Sequence, residues 1–192
     1  MRAAPTGRLG PVSCVVVVTG PPCTGKSTLA HAYAARRRWP LLAKDAYKEQ
    51  VFERLGWSDA EWSARVSVLA WDLAFQAAAA LATARAPFVL EGNLREEHAA
   101  RLRALAPAPR FVLVQCRAPG AVLSARFRAR ATSGLRHPGH VDLAALPRIE
   151  AELAAGEGPV LALDGPVVVY DTGGGFDLDA ALARIDAAVG AA

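Results

Sequence analysis

The sequence reads VVVVTGPPCTGKST from Val15 to Thr28. Its first part is a β-branched apolar run typical of a buried strand, and Gly20 to Ser27 matches the pattern G-x-x-x-x-G-K-[S/T] of a phosphate-binding loop. A helical pattern follows, from Ser27 to Arg38. Strand, loop and helix thus occur in the order that this loop needs, which a chance match of the short motif would not provide.

Each part of the loop has a chemical role. Glycines allow the backbone to turn successive N–H groups toward phosphate oxygens, and the N-terminus of the next helix adds a positive dipole. Lys26 would contact the β- and γ-phosphates, and the Ser27 hydroxyl would be a ligand of Mg²⁺. Cys23 is either a passive occupant or a thiol activated by the helix N-terminus, and the passive interpretation is favoured. The predicted nucleotide-binding residues are Gly20, Pro21, Pro22, Cys23, Thr24, Gly25, Lys26, Ser27 and Thr28.

Length and composition indicate one globular domain. The chain has 192 residues, 53% of them hydrophobic, which suits residues 13–192 as a single domain after a flexible tail at 1–12. The first dozen residues lack the apolar region of a secretory signal and no run approaches membrane-spanning length, so we expect a cytoplasmic protein without a membrane partner. Three cysteines at no metal-ligand spacing predict reduced thiols.

Strand-like runs alternate with helical patterns along the chain, which predicts an α/β fold of three layers with a five-stranded parallel sheet. The runs are Cys14 to Thr19, Pro40 to Ala43, Phe88 to Glu91, Phe111 to Gln115 and Val167 to Tyr170. The helical patterns are Ser27 to Arg38, Ala46 to Leu55, Asp59 to Ala84, Glu96 to Leu105, Pro119 to Thr132, Leu143 to Ala154 and Leu178 to Val189.

Ligands of such a sheet lie beyond the carboxyl ends of its strands, so the residues found there are candidates for chemistry. Asp45 follows the second run and could orient an acceptor hydroxyl and take its proton; alternatively it is the N-cap of the next helix. Glu91 ends the third run and could hold Mg²⁺ or touch the acceptor; alternatively it is a surface residue. Gly92 would let substrate approach the backbone, and Asn93 is a third candidate for acceptor contact. Asn93 is the only asparagine, and its surroundings do not match the Asn-Lys-x-Asp motif of a GTP-binding switch.

A basic segment near the middle of the chain predicts a lid at about 126–141. No Asp or Glu lies between His98 and Val141, whereas eight arginines do, although the first four are interpreted as a solvated face. Arg126 and Arg130 share a helix face and could stabilise charge on a transferred phosphoryl group; the alternative is an ordinary basic helix and loop. For His137 and His140 a polar turn is favoured over a metal site.

With the loop, Asp45, Glu91-Gly92-Asn93 and the arginine segment, the chain resembles the small P-loop kinases of the nucleoside-monophosphate-kinase-like group. It is similar to short bacterial AAA-type ATPase domains and predicted kinases related to polynucleotide kinase, chloramphenicol phosphotransferase, gluconate kinase and zeta toxins. The resemblance covers about residues 13 to 190 and implies a P-loop NTPase fold with an arginine-bearing lid. It also implies adenine near Thr172. Glu-Gly-Asn replaces the Asp-Gly-x-Pro-Arg run of adenylate kinases, which disfavours a mononucleotide acceptor.

The leading hypothesis is therefore an ATP- and Mg²⁺-dependent phosphotransferase acting on a hydroxyl of an unidentified small molecule. Lys26, Asp45, Arg126 and Arg130 would be catalytic, Arg130 and Thr172 would also bind nucleotide, and Ser27 and Glu91 would hold the metal. A polynucleotide 5′-hydroxyl kinase is an alternative that the arginines favour, although a nucleic-acid partner is not preferred. A non-catalytic ATP-binding regulatory protein is another, and the sequence leaves monomer and homodimer open.

Overall fold

The computed structural model describes residues 13–155 and 160–191, and the predicted tail at 1–12 lies outside them. The strands are β1 (Cys14–Thr19), β2 (Leu41–Ala43), β3 (Phe88–Glu91), β4 (Arg110–Arg117) and β5 (Val167–Asp171). The helices are α1 (Lys26–Arg37), α2 (Lys44–Leu55), α3 (Ala60–Thr83), α4 (Glu96–Arg103), α5 (Gly120–Thr132), α6 (Asp142–Ala154) and α7 (Leu178–Ala191). The predicted alternation of strands and helices is confirmed.

The five strands form one parallel sheet in the order β2-β3-β1-β4-β5. Every residue of β1 is buried, because helices cover both faces of the sheet and β1 is its central strand. The register pairs Val18 of β1 with Glu91 of β3, so the carboxyl end of β3 lies beside the start of the phosphate-binding loop. The chain has the three-layer fold that the sequence predicts.

Alternation along β1 separates the core into two layers. Val15 and Val17 face one layer, where the large side chains of α3 such as Trp71 and Phe75 are packed. Val16 and Val18 face the other, which includes residues of α1 and α7. A third apolar cluster joins α5 to α6. Because α5 and α6 share their own small core, they form a unit that carries the predicted lid.

Helix α3 is one residue shorter at each end than the predicted Asp59 to Ala84, but it is more apolar than expected. By length and composition alone it could span a membrane, contrary to the expectation that no run approaches that length. It nevertheless buries Val66, Ala70, Trp71 and Phe75 in the protein core, and a core helix passes the same test. Its apolar character is therefore explained by packing on α2 and the sheet.

Gly20 is required by the geometry at the end of β1. Its φ is +146°, and a Cβ at this position would lie 2.1 Å from the carbonyl oxygen of Cys116 in β4. We expect Gly20→Ala to lower the free energy of unfolding by at least about 2 kcal/mol, since the backbone of two neighbouring strands would have to separate. Urea denaturation measures this change. Gly174→Ala is the control because a Cβ there meets no atom within 4 Å; equal midpoints for the two variants would contradict the prediction.

Candidate active site

The phosphate-binding loop connects β1 to α1 through an unusual backbone. Gly20, Cys23 and Gly25 all have positive φ, at 146°, 65° and 80°, which curls the chain into a concave nest of N–H groups. Thr24 is buried, and its hydroxyl donates to the carbonyl of Pro21 at 3.0 Å, which holds the curl. The loop therefore has the backbone shape of an anion site.

Lys26 is positioned to serve that site. It begins α1, and its Nζ donates only a long hydrogen bond, 3.3 Å, to the carbonyl of Pro21. Cys23 in the same loop is less reactive than the helix N-terminus suggests. Burial raises the pKa of its thiol, although Arg130 and Lys26 oppose the shift. The passive interpretation of Cys23 is thus favoured.

Ser27 and Glu91 meet where β1 and β3 end. The Ser27 hydroxyl donates to Glu91 Oε1 at 3.1 Å, and Glu91 is only 3% exposed, so the alternative of a surface residue is wrong. Burial raises the pKa of Glu91, while Lys26 and the Ser27 hydrogen bond oppose that shift. A hydroxyl and a carboxylate oxygen beside a phosphate-binding loop are ligands that Mg²⁺ prefers. These residues fit the ion that the sequence implies.

Asp45 lies on the opposite wall of the site, in the first turn of α2. The N-cap of α2 is Ala43, so the alternative assignment of Asp45 as the cap is wrong. Lys44 Nζ lies 3.2 Å from Asp45 Oδ1, and Arg136 contacts Oδ2. Burial would raise the pKa of Asp45, but Lys44, Arg136 and other cations together hold it well below the ordinary value. Asp45 is consequently a carboxylate at neutral pH.

The lid arginines have separate partners. Arg126 donates to the carbonyl and hydroxyl of Thr172 at 2.8 and 3.0 Å and to the carbonyl of Cys23 at 3.4 Å, so it joins the phosphate-binding loop to the loop after β5. Arg130 instead pairs with Asp142 at 3.0 Å. The shared helix face predicted that both point at one ligand, but in this conformation Arg126 binds protein oxygens. Arg126, predicted to be catalytic, and Thr172, predicted to bind nucleotide, nevertheless meet beside the loop.

The lid rests on α2 through residues that the sequence placed in a polar turn. His137 and His140 contact Glu53 and Glu49 at 3.1 and 2.8 Å, and His137 stacks on the ring of Phe52. Burial lowers the pKa of His140 to about 3, so its ring is neutral. No cluster of three or more metal-type ligands occurs in the described residues. The histidines therefore anchor the lid.

Most of the basic stretch is neutralised by carboxylates. Six of its eight arginines form ion pairs, namely Arg101–Asp72, Arg103–Glu96, Arg117–Asp171, Arg128–Glu150, Arg130–Asp142 and Arg136–Asp45. Paired arginines are less available for a phosphate backbone than the one-signed sequence suggests. The first four arginines of the stretch lie largely at the surface, as expected of a solvated face; they are Arg101, Arg103, Arg110 and Arg117.

A cavity of about 880 Å³ opens between the loop, α2, α3 and the lid. Lys26, Asp45, Glu91 and Asn93 line it together, so the predicted donor and acceptor residues share one space of small-molecule size. Gly92 also lines this cavity, and the approach of substrate to its backbone stays a prediction. A Cβ there would lie 2.6 Å from the Trp71 ring, so this glycine makes room for a core side chain.

Several residues of the cavity were missed by the sequence analysis. They are Lys44, Lys48, Ser63, Ser67, Arg136 and Asp142. The i, i+4 spacing of the two lysines after β2 was an available signal, because it places both on one face of α2. The partners of those lysines depend on how α3 packs, which no local pattern gives.

Comparisons with known proteins agree with this fold. A family model described as an AAA domain (AAA_33) matches residues 15–155. A provisionally named kinase from Chloroflexus aurantiacus has 34% identity over 93% of this chain and 99% of its own, with a TM-score of 0.82. A sugar kinase from Janibacter has 20% identity over 93% and 95%, with a TM-score of 0.60, and a gluconokinase from Sinorhizobium meliloti has 21% over the same shares, with a TM-score of 0.50. None of the curated proteins matches the sequence.

Proposed function

Because this chain belongs to the AAA domain family, with a family model matching residues 15–155, we propose that it is an ATP- and Mg²⁺-dependent kinase of small molecules. The phosphate acceptor would be a hydroxyl group. The observation that carries the proposal is the cavity that Lys26, Asp45 and Glu91 line together, with Ser27 hydrogen-bonded to Glu91. A phosphate-binding loop on one wall and an ionised carboxylate on the other suit transfer of a phosphoryl group between two bound molecules.

The donor half rests on α1 and its loop. The backbone N–H groups of the loop and Lys26 would hold the triphosphate, and Thr172 and Arg126 would border the base. Ser27 and Glu91 would hold Mg²⁺, directly or through water, and the ion would neutralise charge on the β- and γ-phosphates. Arg130 lines the cavity and could reach transferred charge if it left Asp142.

The acceptor half rests on Asp45. An acceptor hydroxyl beside this carboxylate would attack the γ-phosphorus. Its proton would pass to Asp45 as the new O–P bond forms, and the bond to the ADP oxygen would break. Since the cations around Asp45 hold its pKa low, the proton would pass to it late in the step, once the forming O–P bond has made the hydroxyl more acidic.

The alternatives make different predictions for one screen. The protein would be incubated with labelled ATP and pools of sugars, hydroxy acids, nucleosides and single-stranded oligonucleotides. Label on a small molecule supports the proposal, whereas label on oligonucleotides alone supports a polynucleotide kinase. The ion-paired state of the arginines favours the first outcome. ATP binding without transfer to any pool would favour the regulatory alternative.

Glu91→Gln tests the metal assignment without an acceptor. We expect the variant to bind ATP in the absence of Mg²⁺ as the wild type does, but to lose about tenfold or more of the affinity that Mg²⁺ adds, because a neutral amide is a weaker ligand. Calorimetric titration with ATP and with Mg-ATP measures both. Glu61→Gln is the matched control on an exposed part of α3. An unchanged Mg²⁺ effect in Glu91→Gln would contradict the assignment.

A further inference from the structure

Two lysines of α2 and two serines of α3 form a polar ladder between these helices. Lys44 Nζ donates to Ser67 Oγ at 3.1 Å, and Lys48 Nζ donates to Ser63 Oγ at 2.8 Å. Lys44 and Lys48 are one helical turn apart, as are Ser63 and Ser67. All four line the cavity that also contains Asp45. The ladder is therefore part of a cavity wall as well as a helix contact.

Lys48 is a buried cation without an anionic partner. It is only 5% exposed, and no carboxylate within the described residues comes within 4.0 Å of its Nζ. Besides Ser63, its ammonium faces the Phe52 ring, 5.3 Å away. Burial and the neighbouring Lys44 lower its pKa to about 8. Asp45 and Asp142 oppose that shift, but neither forms an ion pair with the ammonium, and a buried charge without a directly paired anion destabilises the fold.

The position of Lys48 relates this unpaired charge to the candidate chemistry. Lys48 lies three residues after Asp45 on α2, which places the two on neighbouring parts of one helix face, about 4.5 Å apart along the axis. Lys44 belongs both to the ladder and to the surroundings of Asp45, because its Nζ contacts Ser67 and Asp45. A ligand with a hydroxyl at Asp45 would bring its next few atoms to the two lysines.

We propose that Lys44, Lys48, Ser63 and Ser67 form an anion site, and that the acceptor is a hydroxyl compound carrying a carboxylate or a phosphate. The anion would accept hydrogen bonds from both ammonium groups and from the serine hydroxyls, and would supply the charge that Lys48 lacks. The identity of the ligand as an acceptor rests on the proposed kinase function. The anion site itself rests only on the ladder and the cavity.

Binding of simple anions tests the site. The phosphate-binding loop would first be filled with Mg²⁺ and a non-hydrolysable ATP analogue, so that it cannot bind the probe. Inorganic phosphate and acetate would then be titrated separately, with binding followed by phosphorus and proton NMR; the two probes distinguish a phosphate site from a carboxylate site. We expect at least one anion to bind the wild type, and Lys48→Gln and Lys48→Met each to weaken it tenfold or more.

Arg65→Gln is the matched control, since Arg65 lies on the exposed side of α3 and forms an ion pair with Glu61. It should bind the anion as the wild type does. A purely structural role for Lys48 would change the melting temperature of both Lys48 variants and leave anion binding intact. That result, or no anion binding by the nucleotide-filled wild type, would overturn the inference.

The acceptor screen separates this inference from the kinase proposal. Phosphorylation of neutral sugars, unaffected by Lys48→Gln, would support the kinase and overturn the anionic acceptor. Phosphorylation of hydroxy acids or sugar phosphates, lost or weakened in Lys48→Gln, would support both. Anion binding that depends on Lys48, without transfer to any acceptor, would support the anion site and contradict the kinase.

Discussion

Lys26→Met is expected to lower the rate of phosphoryl transfer at least about a hundredfold, because the variant lacks the compact charge that stabilises the β- and γ-phosphates. Lys26 Nζ donates a 3.3 Å hydrogen bond to the carbonyl of Pro21, a long contact that a phosphate oxygen can replace. Its ammonium is thus available when phosphates arrive. The measurement is a single-turnover experiment with labelled ATP and the acceptor identified in the screen.

Two further variants make this result specific to Lys26. Lys26→Arg restores the charge but not the compact shape, so we expect it to remain impaired at least about tenfold. Arg38→Met removes a cation just beyond the C-terminus of α1 and should leave the rate within about threefold. The circular dichroism and melting temperature of all variants should match the wild type. Transfer by Lys26→Met within threefold of the wild type would contradict the role of Lys26.

The parts of the site that the sequence predicts share one physical basis. Strands β1 and β3 have the predicted bounds because each is a continuous apolar run that ends at a polar or glycine residue. In a parallel sheet the carboxyl ends of strands lie at one edge, so Ser27 and Glu91 could be expected together from the strand ends alone. Their hydrogen bond follows from topology rather than from local pattern.

The parts that the sequence does not predict depend on packing between helices. Lys48 meets Ser63 only because α2 and α3 are antiparallel neighbours in a particular register. Arg136 lies in a loop without periodicity, and its contact with Asp45 results from the docking of the lid on α2. The partner of Arg126 could not be predicted from the sequence either. Its helix face was predicted, but its partner Thr172 belongs to a loop after β5 that is distant in sequence.

Asp45→Asn is expected to lower the rate of transfer by about 10²- to 10⁴-fold while leaving ATP affinity within about threefold, since the amide can hold a hydroxyl but cannot accept its proton. The substitution preserves the size of the side chain. Glu53→Gln is the control on the same helix, because Glu53 also contacts the lid, through His137, but is exposed away from the cavity. A loss of equal size in Glu53→Gln would assign the effect to lid docking and contradict the role of Asp45.

The pH dependence of kcat/KM distinguishes proton acceptance by Asp45 from a steric effect. Lys44 and Arg136 hold the pKa of Asp45 below the ordinary aspartate value of about 4, so the wild-type rate should not fall between pH 6 and 5 through titration of this group. Without one of these cations the carboxylate is less stabilised, so the pKa of Asp45 rises. In Arg136→Met the acidic limb of the kcat/KM profile that Asp45 produces should therefore move to higher pH. In Asp45→Asn that limb should be absent. An acidic limb at the same pH in all three proteins would belong to another group, and Asp45 would then be a residue that positions the acceptor without accepting its proton.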